Sequence, residues 1–457
     1  MRTRRARAAR TLAVAAALGL AATGCGATSE VASGGWDETG TVTYWMWDSA
    51  QLPGYQLCAE QFEAENPDID VVIEQFGWDD YWNKVFTAFV SNSAPDVFVD
   101  HTSRYADFAS RGLIQPLDEL VERDGVDLDA YVDGTTELWV GPDGQRYGLP
   151  KDFDTVGVFY DAEKVEAAGY TPEDLQDLAW NPEDGGSYEE LIARLSVDTD
   201  GVRGDEPGFD PTSVETYGLG LASSGGGFGQ TEWSMYAGST GWTHTDQPLW
   251  GTHYNYDDPR FQGAIGWWTG LIDKGFMPPL AQTVGGSPDQ QLQAGRYALV
   301  TDGSWNIRNF AGLSGLELGT FPTPVGPSGE RAAMFNSLAD SISTASPRKG
   351  AAWKWVQHLA SVECQQLVAE QGVVFPALEE VVPTAEEALS AYGVDVEAFT
   401  VHVEEGTTIP VPITENAAEV DAIMQPAMDR VVGGTAPVDS LTEANTRVNE
   451  LFGTADQ

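Results

Sequence analysis

The chain has 457 residues, with 42% apolar and 11% aromatic content, which suits two or three domains with well-filled cores. It carries 70 acidic residues against 24 basic ones, a formal net charge of −46. Such a surface repels phosphate backbones and excludes nucleic-acid binding; beyond solubility, the charge says nothing about a ligand.

In chain order, residues 2–10 hold five arginines (Arg2, Arg4, Arg5, Arg7, Arg10) and no acid, and an apolar run rich in Ala and Leu follows from Thr11 to Thr23. The run is too short for a membrane-spanning helix, which needs roughly 20 residues, and its basic flank marks a secretory signal over residues 1–24. It ends in Ala22-Thr23-Gly24-Cys25, which resembles a bacterial lipobox with Ala where Leu is usual. Cys25 is therefore the expected lipidation site and first mature residue, and an acyl chain is the expected tie to the membrane. An ordinary signal peptide with an incidental cysteine is the alternative. Arg4-Arg5 also leaves a twin-arginine route open. Loss of the five arginines leaves 19 basic residues and a net charge of −51.

Residues 25–40, rich in Gly, Ser, Thr and Ala, read as a flexible tether. Thr41–Trp47 then reads as a strand, Tyr55–Asn66 as a helix stopped by Pro67, and Asp70–Phe76 as a second strand. Asp79 or Asp80 is placed to cap a helix over Tyr81–Val90. Pro95–Val99 is a third strand, followed by a helix over Ser103–Arg111. This alternation predicts an α/β fold with a parallel sheet. Further on, Gly157–Tyr160 reads as a strand and Tyr188–Leu195 as a helix. Residues 198–210 read as an acidic loop or hairpin, Gly263–Lys274 and Pro288–Ala294 as helices, and Tyr297–Thr301 as a strand. Residues 322–330 read as a connection, and the chain from Ala351 as mostly helical, broken at Pro376, Pro383 and Pro410–Pro412. Besides Cys25 there are two cysteines, Cys58 and Cys364, and a leftover pair in an oxidising compartment points to a disulfide; two separate buried thiols are the alternative.

Several chemistries lack their residues. There is no Gly-x-Ser-x-Gly elbow, no His-Glu-x-x-His, no Gly-Lys for a phosphate loop, and the five histidines are scattered singly. No cofactor and no metal site are expected. Asp198-Thr-Asp200-Gly201 through Asp205 only loosely resembles a calcium loop, with its Gly two places early, and a plain acidic turn is the simpler reading. With 70 acids, a carboxylate pair for glycoside hydrolysis is uninformative.

Five landmarks occur in order across residues 41–375: Val42–Asp48 with Phe62–Asp68; Ala94–Val99 leading to Gly112–Leu117; Tyr147–Pro150 with Gly157–Tyr160; Asp302-Gly-Ser-Trp305; and Ala351–Ser361. In this order they resemble the extracellular solute-binding family that includes maltodextrin-binding and other carbohydrate-binding proteins of ABC importers. The resemblance implies a two-lobe, periplasmic-binding-protein-like α/β fold with a hinge and a ligand cleft between the lobes. It implies one lobe over 41–153 plus 334–378 and another over 154–333 plus 379–457, closing on the ligand. It also implies a non-catalytic monomer that captures a sugar or oligosaccharide and hands it to the permease subunits of an ABC transporter. Cys58 and Cys364 would share the first lobe.

A sugar offers hydroxyls at its edge and C–H groups on its faces, so its site needs carboxylates, amides and flat aromatics near the strands' carboxyl ends. That rule selects Trp47 and Asp48, Trp78 and Asp79, Asp100 and His101, and Ser103 at the start of a helix. It adds Asp152 and Asp154 at the first crossing, Trp233 behind a Gly-rich loop, and Trp305. Each has a plainer alternative: Asp48 and Ser103 as helix caps, His101 as a structural histidine, Trp233 and Trp305 as core. The competing functions are a secreted carbohydrate-active enzyme and the same fold holding a polyamine or another small solute.

Overall fold

A computed structural model describes residues 36–222, 226–283 and 286–453; the predicted signal, Cys25, most of the tether and the side chain of Asp79 lie outside the described residues. Twelve strands are described: β1 (Gly40–Met46), β2 (Ile69–Gln75), β3 (Val97–His101), β4 (Pro150–Asp154), β5 (Val156–Asp161), β6 (Val197–Asp198), β7 (Val214–Leu219), β8 (Tyr297–Gly303), β9 (Leu318–Phe321), β10 (Ala333–Ile342), β11 (Phe375–Pro376) and β12 (Thr408–Pro410). They form two sheets, one in the order β11-β4-β10-β3-β1-β2 with β12 beside β10, the other in the order β6-β7-β8-β5-β9.

The parallel arrangement predicted from strand–helix alternation holds for β2-β1-β3, but both sheets are mixed. The reason is the chain's path. β10 arrives from the second sheet at the edge where β1, β3 and β4 end, so it runs back antiparallel between β3 and β4. The other crossing is abrupt, since only Thr155 separates β4 from β5. The carboxyl ends of β1, β3 and β4 and the amino end of β10 thus share one edge of the first sheet.

Local sequence explains the flanking helices. Leu52–Glu65 has Pro53 in its first turn and buries Tyr55, Cys58, Ala59 and Phe62, an i, i+3, i+4, i+7 stripe. It packs on Val362–Ala369, whose Ser361 cap accepts the Cys364 N–H, and Cys58 and Cys364 are joined by a disulfide. The second helix differs from its prediction: it runs over Trp78–Val90 from Gly77, so Asp79 and Asp80 stand in its first turn and do not precede it. Ser103–Arg111 contracts to Tyr105–Ser110, and Gly263–Lys274 becomes Pro259–Asp273, capped by the Asp258 side chain. Pro383 opens a helix (Val382–Ser390) where a break was predicted, as suits a residue that needs no N–H partner. No helix among the described residues is long and apolar enough to cross a membrane.

The acidic stretch at 198–210 is a turn held by its own backbone. Asp198 accepts the N–H groups of Asp200, Val202 and Asp210, all at 2.9 Å. Its carboxylate is therefore spent on organising the hairpin into β7.

Candidate functional site

The shared edge of the first sheet gathers most of the residues selected from sequence. Trp47 and Asp48 follow β1, His101 closes β3, Asp152 and Asp154 lie on β4, and Asn336 stands opposite Asp154 in the register of β10. From the second sheet come Ser304 and Trp305, directly after β8, and Gln230 from the segment after β7. Two hydrogen bonds join the sheets: Ser304 Oγ donates to Asp154 Oδ1 (2.7 Å), and Gln230 Nε2 donates to Asn336 Oδ1 (2.7 Å). At the rim, Trp250 Nε1 donates to the Val140 carbonyl (2.8 Å), and its ring stands edge-on to Tyr105.

One wall is aromatic. Trp47 lies 5.0 Å from Trp78, 5.4 Å from Trp82 and 6.3 Å from the His101 imidazole, measured between ring centroids. Trp82 is nearly buried while Trp78 is 43% exposed, so the cluster grades from core to solvent. Arg104 places its guanidinium 6.0 Å over Trp82.

The His101 ring is held by its neighbour. Ser103 donates its N–H (3.1 Å) to Nδ1, with the Ser103 hydroxyl 2.8 Å from the same atom, so this serine orients the histidine and does not cap a helix. Burial, with Arg104 beside it, pushes the imidazole down to about 3, so it is neutral, and its other nitrogen, Nε2, lies 3.4 Å from Asn336 Nδ2.

The other wall is acidic. Asp48 accepts the Ala50 N–H (2.7 Å), and burial raises its carboxyl. A register slip between Leu338 and Ala339 leaves Lys151 and Asp152 together opposite Leu338. Lys151 Nζ contacts the Tyr44 hydroxyl (3.0 Å) and Asp340 (3.4 Å). Asp152 has no exposed surface, and neither oxygen accepts a hydrogen bond of normal geometry, although the Leu338 amide lies near enough to favour its charge. Burial, then the Asp340 and Asp48 charges, outweigh Lys151 and push Asp152 up to about 7; burial and Asp152 push Asp154 well above the carboxylate range.

Two predicted residues lie elsewhere. Asp100 alternates to the opposite face from His101, where it is fully buried and accepts the Ser341 hydroxyl (3.0 Å) and the His101 N–H (2.9 Å). Trp233 is 1% exposed and packed among Trp242, His244 and Phe261, in the core of the second sheet's unit and not on an open face.

Trp305 is half-buried, and its ring lies against Gly303 so closely that a Cβ there would fall 2.0 Å from Trp305 Cζ3. Gly303→Ala is therefore expected to destabilise the protein by about 1–3 kcal/mol through overpacking. The double variant with Trp305→Ala should lose less than Gly303→Ala alone. Thermal denaturation of the three variants checks this, and additive losses would mean that the contact is not the cause.

Sequence reasoning missed Asn336, Gln230, Ser304 and Trp82. Asn336 lies inside a strand that carries no polar–apolar alternation, since all ten residues of β10 are buried. Gln230 and Ser304 sat beside the flagged Gly-rich loop and Trp305 without distinguishing features of their own.

A model of the family described as "bacterial extracellular solute-binding protein" matches residues 49–366. Among curated proteins, the chain is 26% identical over 379 residues to the maltooligosaccharide ABC transporter solute-binding lipoprotein of Streptococcus pneumoniae, covering 79% of this chain and 78% of that one. It is also 29% identical to the lactose-binding protein of Rhizobium radiobacter, over 31% of this chain and about a third (34%) of the relative's length. Among solved structures, UspC of M. tuberculosis superposes with a TM-score of 0.72 at 26% identity, over 90% of this chain and 99% of that one. Lmo0181 of Listeria monocytogenes, solved in complex with cycloalternan, superposes with a TM-score of 0.77 at 19% identity, again over 90% and 99%, and speaks for the fold alone.

Proposed function

Because the chain belongs to the bacterial extracellular solute-binding proteins, receptors that hold a solute without transforming it, we propose that its solute is a sugar or oligosaccharide taken up by an ABC importer. The observation that carries this reading is the clustering of unmet hydrogen-bonding capacity beside aromatic faces. Of the ten buried side-chain polar atoms without a partner among the described residues, five belong to the segments around this edge: Trp82 Nε1, Thr102 Oγ1, Arg104 Nε and both Asp152 oxygens; the other five are scattered singly over Trp233, Tyr256, Trp355, His402 and Gln425. Buried polar groups are satisfied in native proteins, so a run of orphans marks where a polar ligand completes the bonding. Donors and acceptors together beside Trp47, Trp78 and Trp305 match a molecule with hydroxyl edges and C–H faces. The names of the S. pneumoniae and R. radiobacter relatives point the same way.

In this reading residues 41–153 with 334–378 form one lobe, and 154–333 with 379–457 the other. The Gln230–Asn336 bond separates when the lobes part, and ligand hydroxyls compete for its atoms and for the Asp154 carboxylate, which Ser304 holds within the second lobe. Trp47, Asp48, Trp78, Asp79, His101, Asp152, Asp154 and Trp305 are the contacts assigned to the ligand, with Ser103 positioning His101. Cys25 carries the lipid that tethers the receptor beside its permease, and the receptor acts as a monomer.

Titration calorimetry of the mature protein with a panel of mono- and oligosaccharides tests the reading. At least one sugar should bind, and Trp305→Ala should weaken it by on the order of 1 kcal/mol or more through lost stacking. Binding of no sugar, with clear binding of an amino acid or inorganic anion, would overturn it.

A further inference from the structure

The acidic wall holds more negative charge than a neutral sugar needs. Asp48, Asp152 and Asp154 sense one another electrostatically, and Asp340 adds a fourth carboxylate behind them. The base set among them is Lys151, with its side chain 1% exposed and its ammonium already on Asp340 and Tyr44. Arg104, the next base along the edge, turns its guanidinium to the Trp82 ring. Asp154 has the Ser304 hydroxyl and Asp48 has the Ala50 amide, but Asp152 has neither a donor of normal geometry nor solvent.

A carboxylate in that position is costly unless it keeps a proton or meets a cation. A sugar hydroxyl would give it one neutral hydrogen bond, whereas a protonated amine would supply the hydrogen bond and the missing charge together. The half-exposed tryptophan wall suits such a ligand, because an aromatic face attracts a cation as well as sugar C–H groups.

We propose that the Asp48–Asp152–Asp154 wall receives the basic nitrogen of an aminated glycoside, with Asp152 as its main counter-charge. This rests on the glycoside reading above and narrows it to a ligand class. Polyamines share the ammonium but lack the hydroxyl edges that the orphaned donors Trp82 Nε1 and Arg104 Nε would serve.

The test compares glucosamine and galactosamine oligosaccharides with their N-acetylated twins, and adds maltotriose and spermidine, by calorimetry on the mature chain. The amine-bearing member of at least one pair should bind ten-fold or more tightly than its N-acetylated twin. Asp152→Asn should cut that preference to under three-fold, with the ligand-free melting temperature unchanged or higher because a buried unpaired charge is gone. Asp154→Asn, read the same way, serves if Asp152→Asn does not fold. Equal affinity within every pair, or a preference that survives both substitutions, overturns the amine assignment and leaves the glycoside reading standing. Tight binding of spermidine with no binding of any saccharide overturns both.

Discussion

The double variant Cys58→Ala/Cys364→Ala should unfold at markedly lower urea than the parent, losing about 4–5 kcal/mol. The bridge spans 306 residues of sequence, so it restricts the unfolded chain more than most disulfides do. It fastens Leu52–Glu65 to Val362–Ala369, segments from opposite ends of the chain that pack on the same sheet. Both cysteines are fully buried, and the Cys58 carbonyl is also bonded by His358 Nε2 at 2.9 Å, so the local backbone survives loss of the sulfurs. Alanine leaves only a small cavity. The chain-entropy term should therefore dominate, and reducing agent should move the parent to the variant's midpoint. A loss under about 1 kcal/mol, or a parent insensitive to reductant, would show that the link is dispensable.

How much of this was legible beforehand follows from where the information sits. β1, β3 and the helix carrying Cys58 are written locally, as runs of β-formers and an amphipathic stripe bounded by Asn66-Pro67. The edge position of Trp47, Asp48 and His101 followed from strand direction, because residues just past a carboxyl end have few places to go. The antiparallel return of β10 was not legible, since its ten buried residues show no period and its antiparallel partners, β3 and β4, lie more than 180 residues away. Asn336 was missed for the same reason. Asp100 and His101 could be separated only by knowing which face of β3 meets Ser341, a contact 241 residues distant. Trp233 was ambiguous in principle, because a tryptophan behind a glycine-rich loop packs equally well inward or outward, and here Gly229 lets the ring fold down so closely that a Cβ would sit 2.0 Å away.

Stability should also fall as pH rises from about 6.5 to 8, a range in which ordinary surface carboxylates, already ionised in both states, would leave it flat. Burial pushes Asp100 and Glu232 each up to about 8 and Asp152 up to about 7. A carboxyl raised in the folded state binds its proton more tightly there than in the unfolded chain, where it titrates near 4. The stabilisation from that proton is lost as pH climbs through the folded value. Below about 6.5 the effect is opposed. Burial lowers His101 and His402 to about 3 and His244 to about 4, so those rings stay neutral in the fold while the unfolded chain takes up protons. The histidines fall silent above 6.5, and the acids then act unopposed. The expected loss from pH 6.5 to 8 is on the order of 2–4 kcal/mol. Asp100→Asn isolates one contributor. The site already holds the His101 N–H and the Ser341 hydroxyl, Asp340 on β10 and Asp107 on the helix Tyr105–Ser110 repel the charge, and Tyr81 and Tyr105 line it. An amide fits these partners once the Ser341 hydroxyl turns to accept. Melting temperatures measured across pH 5–9 should decline above 6.5 for the parent and more gently for Asp100→Asn. A parent curve that is flat or rising over that range, or a variant that runs parallel to it, would show that Asp100 carries no proton in the fold.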